Sequence, residues 1–291
     1  MGATAVNAPV SNAPVPGRRG LPRWLVAVAT LGAAGLLGAC LYFGMRSSRA
    51  SAHKRETWHG PSEAQVERDE IFTRLSFAVA LKDWQDGGPD RRGFNIGAVL
   101  VDPSGTNAVF WARNCNAQLQ NATQHAELRL LLGYLDLARI YSLTGHTVYV
   151  TLEPCAQCAG MLTILGVRRV VYGQSDRQYG RAFERLQLDT RKQPGLLGGR
   201  RRSGYRPYPR AVSAHKSRLD LCRRLDEAYA RSEVDLPDFL FGETARALFE
   251  EARRGLDGYQ VRFHENESAL SSARKLLNTV PEDFVPLGLD I

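Results

Sequence analysis

Cysteine is scarce in this chain, with only five among its 291 residues. So small and odd a number does not form the dense disulfide framework that stabilises small secreted domains. No internal repeat is apparent along the sequence either. Cysteine use therefore favours a reducing compartment, in which thiolates remain available as metal ligands.

Acidic residues are too few to balance the basic ones. Asp and Glu number 30 against 38 Lys and Arg, which gives a net charge of +8. Much of the excess lies in Arg191 to Arg210, where two tyrosines, Tyr205 and Tyr208, stand among the basic residues. Arg and Tyr together can hold phosphates and stack on bases, so this stretch is predicted to bind nucleic acid. A solvated loop, or a contact with anionic lipid, would have the same composition.

One uncharged apolar run, Trp24 to Phe43, reaches the roughly 20 residues that a membrane-spanning helix needs. We interpret residues 24–45 as a single-pass membrane anchor that follows a tail (1–23) and precedes a linker (46–61). A cleaved signal peptide and an organellar presequence are the alternatives. The resulting expectation is a membrane-anchored protein whose remaining domain faces the cytosol or an equivalent reducing lumen.

The chemistry is carried by His125-Ala126-Glu127 and, some thirty residues later, by Pro154-Cys155-Ala156-Gln157-Cys158. His125, Cys155 and Cys158 are suitable ligands for Zn²⁺, and a zinc with three protein ligands keeps its fourth position for water, as catalytic zinc does. Glu127 need not bind the metal and can move protons beside it. The combination H-x-E with P-C-x-x-C is the pattern of zinc-dependent nucleobase deaminases.

A structural zinc site is the alternative interpretation of the same residues. It would need a fourth ligand at a regular spacing, and the remaining candidates each stand alone: Cys115, Cys222 and His146. We therefore favour a catalytic metal site.

Periodicity predicts an alternation of helices and strands around this motif. Leucines at helical spacing (Leu128, Leu131, Leu132, Leu135) predict a helix from Ala122 with these residues on its buried face. Another helix should open at Cys155. A capping box at Ser62 predicts a further helix to about Trp84 with Ile71, Leu75 and Ala78 on one face. Strands are predicted at Phe94–Val101, Ala108–Trp111, His146–Leu152 and Val167–Gly173, and a helix is predicted to end near Ser232. Two more helices are predicted at Glu243–Gly255 and Glu267–Asn278. The resulting fold class is α/β, with three layers.

Three segments resemble the cytidine deaminase-like superfamily, and within it the bacterial tRNA adenosine deaminases and guanine deaminases. They are Asn95–Val101, Thr151–Met161 with its two cysteines, and Gly166–Gly173. The resemblance implies a three-layer α-β-α deaminase domain, which we place at residues 62–234 before a helical C-terminal extension (235–291). It also implies that Asn114, eleven residues before His125, contacts the substrate base.

The sequence departs from that family at two places that shape the pocket. Asn95 stands where the family usually has proline, and Asn121-Ala122 stands where Asp-Pro is usual. Zinc and proton chemistry should therefore be retained more faithfully than substrate identity.

The expected function is zinc-dependent hydrolytic deamination of an adenine, guanine or cytosine base, free or within RNA. The expected partners are this substrate, nucleic acid through Arg191–Arg210, the membrane through residues 24–43, and a second copy in a homodimer. Two alternatives remain open: a catalytically inactive, membrane-tethered nucleic-acid-binding protein on the same fold, and a salvage enzyme for small molecules.

Overall fold

The computed structural model describes residues 61–186 and 212–283. Its strands are β1 (Gly97–Val101), β2 (Ala108–Arg113), β3 (Thr147–Leu152), β4 (Arg169–Gln174) and β5 (Ser213–Lys216). Its α-helices are α1 (Glu63–Leu81), α2 (Ala126–Ala138), α3 (Ala156–Ile164), α4 (Ala182–Leu186), α5 (Asp220–Arg231), α6 (Leu236–Phe241), α7 (Glu243–Asp257) and α8 (Glu267–Thr279), with a 3₁₀ turn at His264–Asn266.

The strands form one mixed sheet in the order β2-β1-β3-β4-β5. Strand β1 is antiparallel to both β2 and β3, whereas β3, β4 and β5 run parallel. This arrangement brings the end of β2, the beginning of β1 and the ends of β3 and β4 to the same edge of the sheet. That edge, which we call the site edge, is where the motif residues lie.

Helix α1 packs against the sheet and beside the C-terminal helices, so it is buried on several sides. Its first turn is capped by Ser62, whose hydroxyl accepts a hydrogen bond from the Gln65 N–H at 3.2 Å. The predicted inward residues Ile71, Leu75 and Ala78 are fully buried. At Gly97 the sheet lies so close to α1 that a Cβ would sit 2.6 Å from the Ser76 carbonyl oxygen. Only glycine allows this approach.

The C-terminal helices complete the layer that contains α1. Phe249 of α7 packs edge-to-face against Phe77 of α1, with ring centroids 4.6 Å apart. The buried carboxylate of Glu67 accepts hydrogen bonds from Arg262 N, Phe263 N and Asn266 Nδ2 at 2.6, 3.2 and 2.6 Å. Burial alone would raise the pKa of Glu67, but these donors together lower it. Glu67 thus ties α1 to the start of α8.

Helices α2 and α3 cover the opposite face of the sheet. Ala126, Leu130 and Leu131 of α2 and Leu162 of α3 pack against Ala98, Leu100, Val148, Val150 and Val170 of the strands. With α1, α7 and α8 on one face and α2 and α3 on the other, the predicted three-layer α/β architecture is confirmed. The boundary predicted between a domain at 62–234 and an extension at 235–291 stays a prediction.

The predicted helix around His125 is correct in type but wrong in its start and in part of its buried face. It begins at Ala126, not Ala122, because the Asn121 side chain accepts a hydrogen bond from Thr123 N at 2.9 Å and holds a turn there. The buried leucines are Leu130 and Leu131, whereas Leu132 is 40% exposed. Leucines on several sides of α2 conceal its true inward face.

The predicted membrane-anchored localisation is corrected. Among residues 61–186 and 212–283, no helix is long and apolar enough to cross a membrane. The predicted span, Trp24 to Phe43, its tail and the linker up to residue 60 lie outside these residues. The anchor therefore has no support in the described part of the chain, and the membrane is withdrawn as a partner.

Candidate metal centre and active site

The three predicted metal ligands come together at two helix N-termini. His125 is the N-cap residue of α2 and Cys155 is the N-cap residue of α3, both in extended backbone conformation with side chains that do not cap their own helix. Cys158 lies one turn into α3 and is fully buried. The ligand atoms of His125, Cys155 and Cys158 all lie within 4.8 Å of one another.

Their spacing fits a tetrahedral zinc ion. The Nδ1 atom of His125 lies 3.6 Å from the Sγ of Cys155 and 3.6 Å from the Sγ of Cys158. Zn–S bonds of about 2.3 Å and Zn–N bonds of about 2.0 Å at the tetrahedral angle separate S and N by about 3.5 Å, close to both observed distances. The donor set of one imidazole and two thiols is likewise one that zinc accepts. These residues could therefore hold a metal ion.

The electrostatics of the two thiols also favour a cation. The hydrogen bond from Cys158 lowers the pKa of Cys155 to about 4. The same hydrogen bond, together with burial, raises the pKa of Cys158. One negative charge is thus stable on this pair, and a bound cation is what would stabilise the second.

Glu127 follows His125 by two residues and is 4% exposed. Burial raises the pKa of this carboxyl to about 7, against the opposing effects of its own backbone N–H and of His125. A carboxyl with such a pKa can both accept and donate a proton near neutral pH, which a group that shuttles protons requires.

Asn114 directly follows β2 at the site edge and is fully buried. Its Oδ1 accepts hydrogen bonds from the backbone N–H groups of Phe94 and Asn116, both at 3.2 Å. These two backbone donors fix which end of the amide is oxygen. Its Nδ2 has no hydrogen-bond partner among the residues that the structure describes. Asn114 therefore has a free donor where the sequence predicts a contact with the substrate.

A buried ion pair between Arg92 and Asp83, next to Asn114, could not be predicted from the sequence. Arg92 is 2% exposed, and its Nη1 donates to the Asn114 carbonyl oxygen. Its Nε donates to Asp83 Oδ2 at 2.6 Å. Arg92 lies in the loop between α1 and β1, where a charged residue is ordinarily solvated, so the sequence carries no signal of its burial. The pair fixes the backbone that presents Asn114.

Asn95 explains one departure from the family pattern. Its Nδ2 donates to the carbonyl oxygens of Gln85 and Leu240 at 2.8 and 3.0 Å, and its Oδ1 accepts from Gln85 N at 2.9 Å. Proline could make none of these bonds. The amide of Asn95 thus joins the approach to β1 to helix α6.

The basic stretch Arg191–Arg210 lies outside the described residues, so its proposed contact with nucleic acid is a prediction still. The homodimer also stays a prediction.

Similarity to known proteins covers the segment that contains the site. Residues 67–174 match the family model described as the cytidine and deoxycytidylate deaminase zinc-binding region. A tRNA-specific adenosine deaminase of Rickettsia felis is 33% identical over 91 residues, covering 31% of this chain and 63% of the relative. The tRNA-specific adenosine deaminase of Rickettsia bellii is 32% identical over 97 residues, covering 33% of this chain and 67% of the relative. The chain thus spans about two thirds of the length of these relatives.

A solved structure from work on A-to-I editing by tRNA:A34 deaminases at the wobble position matches with 27% identity. The match covers 42% of this chain and 82% of that one, with a TM-score of 0.32.

Proposed function

Because this chain belongs to the cytidine and deoxycytidylate deaminase family, we propose that it catalyses the hydrolytic deamination of a nucleobase. The observation that carries the proposal is the meeting of His125, Cys155 and Cys158 with Glu127 at the site edge. A binding protein without activity would not require a buried acid beside a complete ligand set.

His125, Cys155 and Cys158 would hold the zinc ion. When bound, zinc would supply an activated water as the nucleophile. The two thiols and the imidazole would hold the ion together, because all three stand at the N-terminal ends of α2 and α3. The partial positive charge at these helix N-termini favours the ionised form of the thiols.

Glu127 would act as the proton carrier. The water oxygen adds to the ring carbon that bears the amine, and a carboxylate oxygen of Glu127 accepts the proton that the water loses. The carboxyl then donates this proton to the adjacent ring nitrogen. It then takes the proton of the new hydroxyl group and passes it to the amine, so that the C–N bond breaks, ammonia leaves and a carbonyl remains on the ring. A pKa of about 7 suits both directions of transfer.

An adenosine in tRNA is the first candidate substrate, since the relatives in Rickettsia felis and Rickettsia bellii are tRNA-specific adenosine deaminases. The net charge of +8 is compatible with an anionic polymer. Free guanine, adenine and cytosine, as bases or nucleosides, are the other candidates. Asn114 Nδ2 would donate to an acceptor on the base.

Ammonia release from bases, nucleosides and tRNA by the zinc-loaded protein tests the proposal. The variant Glu127→Gln should keep about one zinc per chain and lose turnover by about 10²- to 10⁴-fold, because it removes the proton carrier and no ligand. Cys158→Ala should instead lose the metal.

The matched control is Glu63→Gln, which changes an exposed glutamate in the first turn of α1. It should behave as wild type. Loss of zinc from Glu127→Gln would contradict the role given to Glu127. Failure of the zinc-loaded wild type on the whole panel would contradict the proposed function.

A further inference from the structure

Gln174, the last residue of β4, carries a carboxamide that the fold leaves unused. The residue is 1% exposed. Neither its Oε1 nor its Nε2 has a hydrogen-bond partner among the described residues. A glutamine amide can form several hydrogen bonds, and leaving a buried amide unpaired destabilises a protein. Such a group calls for a partner other than the fold itself.

The side chain of Gln174 projects to the same face of the sheet as the metal centre. Alternation along β4 places it with Val170 and Tyr172, which pack in the cluster that contains residues of α2 and α3. Gln174 pairs with Leu152 in the parallel β3–β4 ladder. The Glu153 N–H donates to the Gln174 carbonyl oxygen at 2.8 Å, and the ligand Cys155 follows Glu153 by two residues.

Two side-chain amides with unpaired polar atoms, Nδ2 of Asn114 and both amide atoms of Gln174, flank the metal centre along the site edge. Asn114 follows β2 on one side, and Gln174 ends β4 on the other, with β1 and β3 between them. They are the only asparagine or glutamine side chains in residues 61–186 and 212–283 whose buried amide atoms lack a partner. In sheets of this kind, ligands bind at the carboxyl ends of parallel strands.

Asn95 shows that this edge can satisfy a buried amide. It is fully buried, lies next to β1, and has both its oxygen and its nitrogen bonded to neighbouring backbone groups. Gln174 has no such arrangement around it. The missing hydrogen bonds are therefore particular to the position of Gln174 and are not a general consequence of burial at this edge.

We propose that Gln174 is a specificity-determining residue whose carboxamide hydrogen-bonds the substrate base from the side opposite Asn114. This inference rests on the proposed function. A carboxamide presents a donor and an acceptor side by side, which matches a base edge that offers an amine donor next to a ring-nitrogen acceptor. Adenine has such an edge at its exocyclic amine and N7, which leaves N1, the ring nitrogen that receives the proton, to Glu127.

The test compares Gln174→Met with wild type. Methionine has nearly the same length and removes both unpaired polar atoms, so the melting temperature should rise. For the preferred substrate, kcat/KM should fall by about 10- to 100-fold, mainly through KM, because a contact to the base is lost. A poor substrate should lose less, so the preference between bases should narrow. Zinc content should not change.

Gln178→Met is the matched control, since Gln178 is exposed in the loop that follows β4. It should change neither the melting temperature nor kcat/KM. If Gln174→Met raises the melting temperature and retains wild-type kcat/KM on every substrate, Gln174 has no role in recognition and the inference fails.

Failure of the proposed function gives a different pattern. If zinc-loaded wild type turns over nothing, the ligand-induced rise in melting temperature is measured with adenosine, cytidine and guanine. A rise in wild type that disappears in Gln174→Met supports the inference without deamination. The absence of any rise in wild type overturns both.

Discussion

The two amide atoms of Asn114 have different roles, and substitutions can separate the structural role of Oδ1 from the proposed substrate contact of Nδ2. In Asn114→Ala, the Phe94 and Asn116 N–H groups lose their acceptor, so the free energy of unfolding should fall by about 1 to 3 kcal/mol. Asn114→Asp keeps that acceptor and should cost less stability. Both variants lack the Nδ2 donor, so both should lower kcat/KM by about 10-fold or more. Urea unfolding and steady-state kinetics measure the two effects, and wild-type kcat/KM in Asn114→Asp would contradict the proposed contact.

Candidate site residues could be predicted from the sequence where the chemistry allows few residue types. They could not be predicted where packing determines which polar groups remain unpaired. His125, Cys155, Cys158 and Glu127 were singled out because few other residue types bind zinc or carry protons at that spacing. The structure brings the three ligands together, while their roles stay proposals. The free amide of Gln174 could not be predicted, since burial and missing partners arise only from the assembled sheet.

At the scale of elements, the Glu67 carboxylate that ties α1 to the start of α8 gives stability that depends on pH. The pKa of Glu67 is lower in the folded protein than its ordinary value of 4.5. The stabilisation is therefore complete above pH 4.5 and is lost as the pH falls through the folded pKa. Glu67→Gln should lower the free energy of unfolding by about 2 to 3 kcal/mol at pH 7. The difference between wild type and variant should shrink in acid.

Urea unfolding of both proteins at pH 7, and at the lowest pH at which both still fold, measures this difference. The exposed substitution Glu63→Gln again serves as control and should have no comparable effect. A difference that stays constant with pH would show that Glu67 does not act through its charge.

Long periodic elements were predicted well, and short ones were not. Helices predicted at Glu243–Gly255 and Glu267–Asn278 are observed at Glu243–Asp257 and Glu267–Thr279. Strand β5, Ser213–Lys216, was missed because its four residues have no apolar alternation and are held by parallel pairing with β4. Helix α6 was missed because a six-residue helix is too short for periodicity to reveal.

At the scale of the whole molecule, the metal centre should contribute to stability as well as to chemistry. Its ligands come from α2 and α3, so an ion that binds them stabilises the folded state over the unfolded chain. Removal of metal by a strong chelator should lower the melting temperature, and added zinc should restore it. Cys158→Ala should have a low melting temperature that neither treatment changes. An unchanged melting temperature after verified metal removal would contradict this coupling.

The C-terminal helices should be indispensable to the fold. Deleting residues 235–291 removes α6, α7 and α8 and exposes α1 residues such as Phe77, which is fully buried against Phe249. We expect that shortened chain to aggregate, because a large apolar surface would meet water. A chain ending at Asp283, which keeps all described contacts, is the control. Cooperative unfolding of the shorter chain would instead support a domain boundary at 234.

The hydrogen bond between Glu67 and Asn266 has a consequence for folding during synthesis on the ribosome. The two residues are 199 positions apart, so a ribosome needs about 10 to 40 s to reach the second after the first. During that interval α1 and the strands emerge without the helices that cover them. The nascent chain cannot complete its core one segment at a time. Its core is complete only after α8 has been released, so until then apolar residues of α1 such as Phe77 lack their C-terminal partners.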